Sequence, residues 1–153
     1  MPSVRVATKE DIPAYMDLAA AFVATTPINH VVPFDREGTA AFVEKALANP
    51  DMLILVAEDG GQIVGITGAL LYPMYFNPAK LVAQELWWYL TPETRGRQTA
   101  KMLFQTIEKW AKDKGAEAMF MIALADARVD TLAKVYKRNG YTPVERTYMK
   151  GLI

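Results

Sequence analysis

A cluster of polar residues stands between a strand-like run and a segment with the apolar spacing of a helix. After L-T-P-E-T comes a tight turn made of Arg95, Gly96, Arg97, Gln98, Thr99 and Ala100. Backbone N–H groups at the first turn of a helix, together with the positive end of the helix dipole, bind anions. The two arginines add charge and donors, so the segment predicts a diphosphate site. The alternative interpretation is an ordinary turn with solvated arginines.

Glu85 is an acid in the strand-like run that leads to this turn. Its neighbours Leu86, Trp87 and Trp88 are large and apolar, and partial removal from water raises the pKa of a carboxyl towards that of a useful base. Two interpretations stay open: Glu85 is a general base, or it is a structural or substrate-contacting acid. Glu145 and water are further candidates for the base.

Strand alternation decides which side chains accompany Glu85. It places Glu85, Trp87 and Tyr89 on one face of the strand, and Gln84 and Leu86 on the other. A β-bulge in this strand would switch the faces.

Tyr136 is a third candidate, in the segment V-Y-K-R-N-G-Y. A phenol has an ordinary pKa of about 10, so it is protonated at neutral pH and can donate a proton. The alternative interpretation is a core aromatic on the same helix face as Leu132.

The elements around these residues predict a mixed sheet flanked by helices, in the order β-α-α-β-β-β-α-β-α-β. Asp59-Gly60-Gly61 predicts a hairpin between two strand-like runs. Val82–Leu90, an amphipathic helix and Met119–Leu124 predict a β-α-β crossover. A helix over Val129–Arg138 and a last strand over Tyr141–Lys150 complete the pattern.

Composition narrows the class of protein. The 153 residues fit one domain, residues 1–153, and 17 basic and 17 acidic side chains give zero net charge, which argues against nucleic-acid and anionic-membrane partners. Cysteine is absent and His30 is the single histidine, so we expect no metal site. No signal-peptide pattern and no bilayer-spanning run is present, which predicts a soluble, cytoplasmic protein.

The turn resembles motif A of the Gcn5-related N-acetyltransferase (GNAT) family, (Arg/Gln)-x-x-Gly-x-(Gly/Ala). Arg95 matches its first position and Ala100 its last, while Gln98 stands where the family usually has glycine. The resemblance implies acetyl-CoA as cosubstrate. It also implies cofactor contacts from the whole turn, from Tyr89 and Leu90 before it, and from Arg138.

The segment around Tyr136 resembles motif B of the same family, L-Y-x-x-x-G-(F/Y). The resemblance implies that Tyr136 protonates the departing thiolate of CoA. Family members often carry asparagine seven residues earlier, where this chain has Val129. The glutamate best known as the base in the family aligns with Gln84 unless a bulge shifts the register.

The resemblance implies an α/β (α+β) fold: a mixed, mostly antiparallel sheet of six to seven strands flanked by about four helices. It also implies a homodimer, and "E-L-W-W-Y-L-T-P-E" is similar to phage- or prophage-associated members. The implied function is acetyl transfer to a primary amine by direct attack in a ternary complex. The acceptor stays open among aminoglycosides, polyamines, amino acids, peptide N-termini and lysine side chains. Alternatives are a catalytically silent CoA-binding module and a cofactor-free interaction domain.

Overall fold

The computed structural model describes residues 1–96, 98–124 and 128–153, and in these ranges the chain forms five strands and four α-helices. In chain order the elements are β1 (Ser3–Val6), α1 (Ile12–Val23), α2 (Arg36–Leu47), β2 (Met52–Asp59), β3 (Gln62–Met74), β4 (Asn77–Leu90), α3 (Gln98–Asp113), β5 (Met119–Phe120) and α4 (Val129–Arg138). Single 3₁₀ turns lie at Lys9–Asp11, Pro27–His30 and Pro92–Thr94. None of the described helices is both long enough and apolar enough to cross a membrane.

The strands form one sheet in the order β1-β2-β3-β4-β5. The first four are antiparallel neighbours, and β5 runs parallel to β4. The hairpin predicted between β2 and β3 is confirmed: Gly60 and Gly61 have φ angles of 60° and 78°, in the region that favours glycine. Because α3 connects β4 to β5, the predicted β-α-β crossover is also confirmed.

The predicted number of six to seven strands is wrong, since the described residues contribute five. The strand predicted over Met119–Leu124 is confined to Met119–Phe120, and the segment 141–150 has no regular secondary structure. A strand forms only where a neighbour satisfies its backbone groups. β5 has a partner at Ala83 and Gln84 of β4, and the segment after Tyr141 is exposed and pairs with no described strand.

Helices cover both faces of the sheet and hold it rigid. On one face α1 and α2 pack against a buried cluster that includes Tyr15, Met16, Val43, Ala46, Ile54, Val56 and Ile66. On the other face α3 contributes Leu103 and Ile107 to a cluster with Leu53, Leu55, Ala57 and Leu90. Apolar burial on both faces is worth about 25 cal/mol per Å², so β4 is fixed from two sides.

The start of α2 is capped, because the Asp35 carboxylate accepts a hydrogen bond from the Gly38 N–H at 3.0 Å. Val43 and Ala46 form the buried stripe of α2, and Phe42 is 41% exposed. The Phe42 ring meets the edge of Trp87 with 6.1 Å between centroids. α2 therefore presents an aromatic side chain towards β4 without burying it.

Gly65 of β3 allows α3 to approach the sheet. A Cβ atom at this position would lie 2.6 Å from Leu90 Cδ2 and 3.2 Å from Leu103 Cδ1. We predict that Gly65→Val lowers the free energy of unfolding by about 1–3 kcal/mol, because the added methyls overpack this contact. Urea unfolding followed by circular dichroism measures the change. Gln62→Val, at an exposed position of the same strand, is the control and should stay within about 0.5 kcal/mol of wild type; equal losses in both variants would contradict the packing argument.

Candidate active site

A β-bulge interrupts β4 in the middle of the candidate site. Gly68 of β3 pairs with Trp87 and the next residue, Ala69, pairs with Glu85, so Leu86 is the extra residue. The bulge changes the simple alternation of side chains. Ala69, opposite Glu85, belongs to the cluster on the α3 face, whereas Trp87 packs against the cluster on the α1–α2 face. Glu85 and Trp87, which alternation would place on one face, are thus separated.

Glu85 is a buried carboxyl that lines a cavity. Its side chain is 2% exposed, and burial raises its pKa from 4.5 to about 8. The neighbouring Gln84 instead accepts a hydrogen bond from the Tyr72 hydroxyl at 3.0 Å and does not line the cavity. Of these two positions, Glu85 has the placement and the pKa of a candidate base.

Tyr136 of α4 is anchored by two hydrogen bonds behind the cavity wall. Its hydroxyl donates to the Ile122 carbonyl at 2.7 Å and accepts from the Trp88 indole N–H at 3.0 Å. Burial, and then the charge of Glu85, raise the pKa of the phenol above its ordinary value. The hydroxyl therefore keeps its proton at every physiological pH. Its partners Ile122 and Trp88 line the cavity, while Tyr136 itself does not.

The turn before α3 is held in a defined conformation. Gly96 has a φ of 75°, which favours glycine, and the helix begins two residues later at Gln98. The Arg95 Nε–H donates to the Leu90 carbonyl at 3.0 Å, and its guanidinium lies over the Tyr89 ring, 5.1 Å from the centroid. These contacts orient a cation beside the N-terminus of a 16-residue helix, which is the arrangement that binds phosphate groups.

A cavity of about 1140 Å³ runs along β4, and residues 85–90 all line it. One end, which we call the α1–α2 end, is lined by Phe22, Val23, Ile28, Val32, Phe34 and Phe42. The other end, the α3–α4 end, is lined by Arg95, Gly96, Ala100, Ile122, Leu132 and Val135. One continuous space therefore connects the turn before α3 to Glu85 and to the segment between α1 and α2.

The structure brings together most of the residues that the sequence singles out. Six of them line the cavity: Glu85, Tyr89, Leu90, Arg95, Gly96 and Ala100. Thr99 is buried in the first turn of α3, Gln98 is exposed there, and Arg138 is exposed at the end of α4. Arg97 lies outside the described residues. Within the described ranges, no group of three His, Cys, Asp or Glu side chains could hold a metal ion.

Sequence reasoning missed two aromatic residues of the site. Trp88 holds the Tyr136 hydroxyl, and Phe42 lines the α1–α2 end. The adjacent pair Trp87-Trp88 was the available signal, because neighbouring residues of a strand point to opposite faces. A buried indole N–H also requires a hydrogen-bond acceptor, which on the α3 face is the phenol oxygen of Tyr136.

Comparison with known proteins agrees with this geometry. The family model described as "Acetyltransferase (GNAT) family" matches residues 17–141. Among curated proteins, the chain is 26% identical over 110 residues to an uncharacterized N-acetyltransferase of Bacillus subtilis, YhfO, and the match covers 70% of each chain.

Solved structures share the fold at low sequence identity. The aminoglycoside 6'-N-acetyltransferase AAC(6')-Ih from Acinetobacter baumannii matches with a TM-score of 0.75 and 19% identity, over 100% of this chain and 99% of that one. A predicted acetyltransferase from Clostridium acetobutylicum, solved with acetyl-CoA, matches with a TM-score of 0.75 and 19% identity, over 99% and 97%. AAC(6')-Iy, in complex with the bisubstrate analog CoA-S-monomethyl-acetylneamine, gives a TM-score of 0.76 and 19% identity, over 98% and 97%. With a family model matching most of its length, the chain belongs to the acetyltransferase (GNAT) family of enzymes.

Proposed function

We propose that this enzyme transfers the acetyl group of acetyl-CoA to a primary amine, which attacks the thioester directly in a ternary complex. The observation that carries the proposal is the single cavity that joins the turn before α3 to the buried carboxyl of Glu85. The acetyltransferase from Clostridium acetobutylicum was solved with acetyl-CoA, which supports the choice of cosubstrate. Because the chain has no cysteine, an acyl-cysteine intermediate is excluded.

In this proposal the diphosphate of CoA binds at the N-terminus of α3. The backbone N–H groups of Gln98, Thr99 and Ala100 have no earlier helical carbonyl to bond, and the positive end of the helix dipole adds to their attraction for phosphate. Arg95 is already fixed by the Leu90 carbonyl and the Tyr89 ring, so little side-chain entropy is lost when it pairs with an anion. Contacts from Arg97 and Arg138 stay predictions.

The chemical step then uses two buried groups. Glu85 accepts a proton from the ammonium of the acceptor, and the neutral amine attacks the thioester carbonyl. A C–N bond forms, and the nitrogen loses its second proton as the C–S bond breaks. Tyr136 gives its proton to the departing sulfur and is reprotonated, through water, by the proton that the nitrogen loses. The proton held by Glu85 is released to solvent, so one proton is released per turnover. For this transfer the Tyr136 hydroxyl must exchange its bond to the Ile122 carbonyl for one to sulfur, while the Trp88 N–H continues to stabilise the phenol oxygen.

The alternative of a catalytically silent member rests on Gln98 in place of glycine and on Val129 in place of asparagine. Gln98 is exposed in the first turn of α3 and is not among the cavity-lining residues. Its side chain therefore leaves the space for a diphosphate open, which supports an active enzyme over the silent module. The homodimer, the cytoplasmic location and the relation to phage-associated members stay predictions from the sequence.

Cofactor binding tests the turn before α3. We predict that wild type binds acetyl-CoA in the micromolar range, about −8 kcal/mol, and that Gly96→Val abolishes binding, because a β-branched residue disfavours the positive φ of the turn. Gly115→Val is a matched control: Gly115 also has a positive φ of 86°, but it lies past the opposite end of α3. Calorimetry showing the same affinity in wild type and Gly96→Val would refute this site.

Tyr136→Phe tests the proton donor. We expect kcat to fall by about 10²-fold or more while the acetyl-CoA affinity changes little, because only the acidic hydrogen is lost. Tyr141→Phe is the control, since the Tyr141 ring lies 6.0 Å from that of Tyr136 and has no assigned chemical role. An unchanged kcat for Tyr136→Phe in steady-state kinetics would show that the role of Tyr136 is purely structural.

Glu85→Gln tests the base through pH dependence. A base must be deprotonated to act, so wild-type kcat/KM should rise with pH through about 8, the pKa of Glu85, and this limb should be absent in the variant. A raised acceptor KM with the limb intact would instead indicate that Glu85 anchors a cationic substrate. Glu93→Gln, at an exposed position near the same turn, is the control.

The same variant has a stability signature. Because the folded-state pKa of Glu85 is raised to about 8 from 4.5, the folded protein binds more protons than the unfolded chain between these values. The contribution of Glu85 to the free energy of unfolding should therefore be greatest below about pH 4.5. It should be lost as the pH rises through about 8. Glu85→Gln should lack this decline in urea unfolding measured from pH 5 to 9; an identical decline in both proteins would show that Glu85 is not desolvated.

A further inference from the structure

The α1–α2 end of the cavity exposes apolar side chains that a folded domain ordinarily buries. Ile28 is 44% exposed, Val32 61% and Phe42 41%, and all three face the same space. They come from the 3₁₀ turn after α1, the loop after it and the first half of α2. A contiguous apolar surface inside a cavity next to a catalytic group marks a binding site for an apolar group.

Three of the polar side chains at this end each have a hydrogen-bond partner within the chain. The Thr25 hydroxyl donates to the Phe22 carbonyl at 2.7 Å, and the Thr26 hydroxyl accepts from the Ile28 N–H at 3.3 Å. The Asp35 carboxylate caps α2. A ligand with many hydroxyl groups would lose its hydrogen bonds to water here and recover few of them, and each unsatisfied group reduces affinity.

Charge also limits the ligand. Among the described residues that line the cavity, the acids are Asp35 and Glu85 and the bases are Arg95 and Arg128. Since burial keeps Glu85 mostly neutral at pH 7, Asp35 is the one ionised acid among the described residues that line the cavity, which is too few to pair with several ammonium groups. Each further cation would be desolvated without a partner.

These observations indicate the chemical class of the acceptor. The inference rests on the proposed acetyl transfer. We infer that the acceptor is a primary monoamine that carries one aromatic or branched apolar group. The apolar group packs on Ile28, Val32 and Phe42, and the amine lies at Glu85. A polycation such as an aminoglycoside or a polyamine does not match these walls, although structural neighbours include aminoglycoside acetyltransferases.

Matched amines test this inference. With acetyl-CoA fixed at saturation, kcat/KM is measured for 2-phenylethylamine and for ethanolamine, which share a two-carbon linker, and for spermidine and neamine. Each methylene equivalent moved from water into an apolar site favours binding about 4-fold, so we expect 2-phenylethylamine to exceed ethanolamine by roughly 100-fold. It should also exceed spermidine and neamine.

Two pairs of variants locate the effect. Phe42→Ser should lower kcat/KM for 2-phenylethylamine by about 10-fold or more and leave ethanolamine nearly unchanged, because only the phenyl group loses contacts. Phe76→Ser is its control, since Phe76 is 72% exposed and does not line the cavity. Val32→Asp should shift preference from 2-phenylethylamine towards spermidine, and Val31→Asp, the adjacent position outside the cavity lining, should not. Thermal melting confirms that each variant is folded.

Calorimetry of amine binding in the presence of CoA distinguishes a failure of the proposed reaction from a failure of the inferred acceptor class. Binding of 2-phenylethylamine without any acetyl transfer would overturn the proposed reaction and leave the acceptor class intact. Faster transfer to spermidine or neamine than to 2-phenylethylamine would overturn the acceptor class and leave the reaction intact. The inference about the acceptor fails if 2-phenylethylamine neither binds nor is acetylated. It also fails if Phe42→Ser lowers kcat/KM equally for all of the amines.

Discussion

The β-bulge at Leu86 is the constraint on which the site depends. A bulge bends its strand and interrupts the hydrogen-bonded ladder. β5 pairs with β4 at Ala83 and Gln84, immediately before the bulge, and the lining of the cavity begins with the next residue, Glu85. The same extra residue separates Glu85 from the face of Trp87. One local irregularity thus divides β4 into a paired half that belongs to the sheet and a half whose residues line the site.

Desolvation connects the chemistry of Glu85 to that of Tyr136. Burial raises the pKa of both groups, and the proposed reaction uses the two shifts in different ways. In the proposed reaction the raised pKa of the carboxyl suits a base, and the raised pKa of the phenol keeps the proposed donor protonated. In the proposed reaction Glu85 is neutral, because it holds the acceptor's proton, when Tyr136 releases its own. When Glu85 ionises again, its charge raises the pKa of the Tyr136 phenol, which favours the protonated form for the next turnover. The contribution of Glu85 to folding stability is lost as the pH rises from about 4.5 to about 8, so the loss is complete where the carboxyl is ionised in the folded protein.

The parts of this arrangement that the sequence predicts are those with a local signal. Gly60-Gly61 marks the hairpin, and the apolar spacing from Ala100 to Ala111 marks α3. The anion site at the turn before α3 stays a prediction. A bulge has no periodicity of its own, so alternation misplaces Glu85 relative to Trp87. The strand predicted over Tyr141–Lys150 does not form, for a different reason. Strand propensity is local, but pairing depends on a neighbour elsewhere in the fold.

The two ends of the cavity differ in the kind of group that lines them. The α3–α4 end is built from a helix N-terminus and a turn, whose backbone groups are present in any chain that folds this way, and in the proposed function these groups bind the cosubstrate. The α1–α2 end is built from side chains of a 3₁₀ turn, a loop and one exposed face of α2, which change freely without disturbing the sheet. Similarity of fold therefore does not identify the acceptor, and the inferred acceptor class rests on the particular side chains at Ile28, Val32 and Phe42.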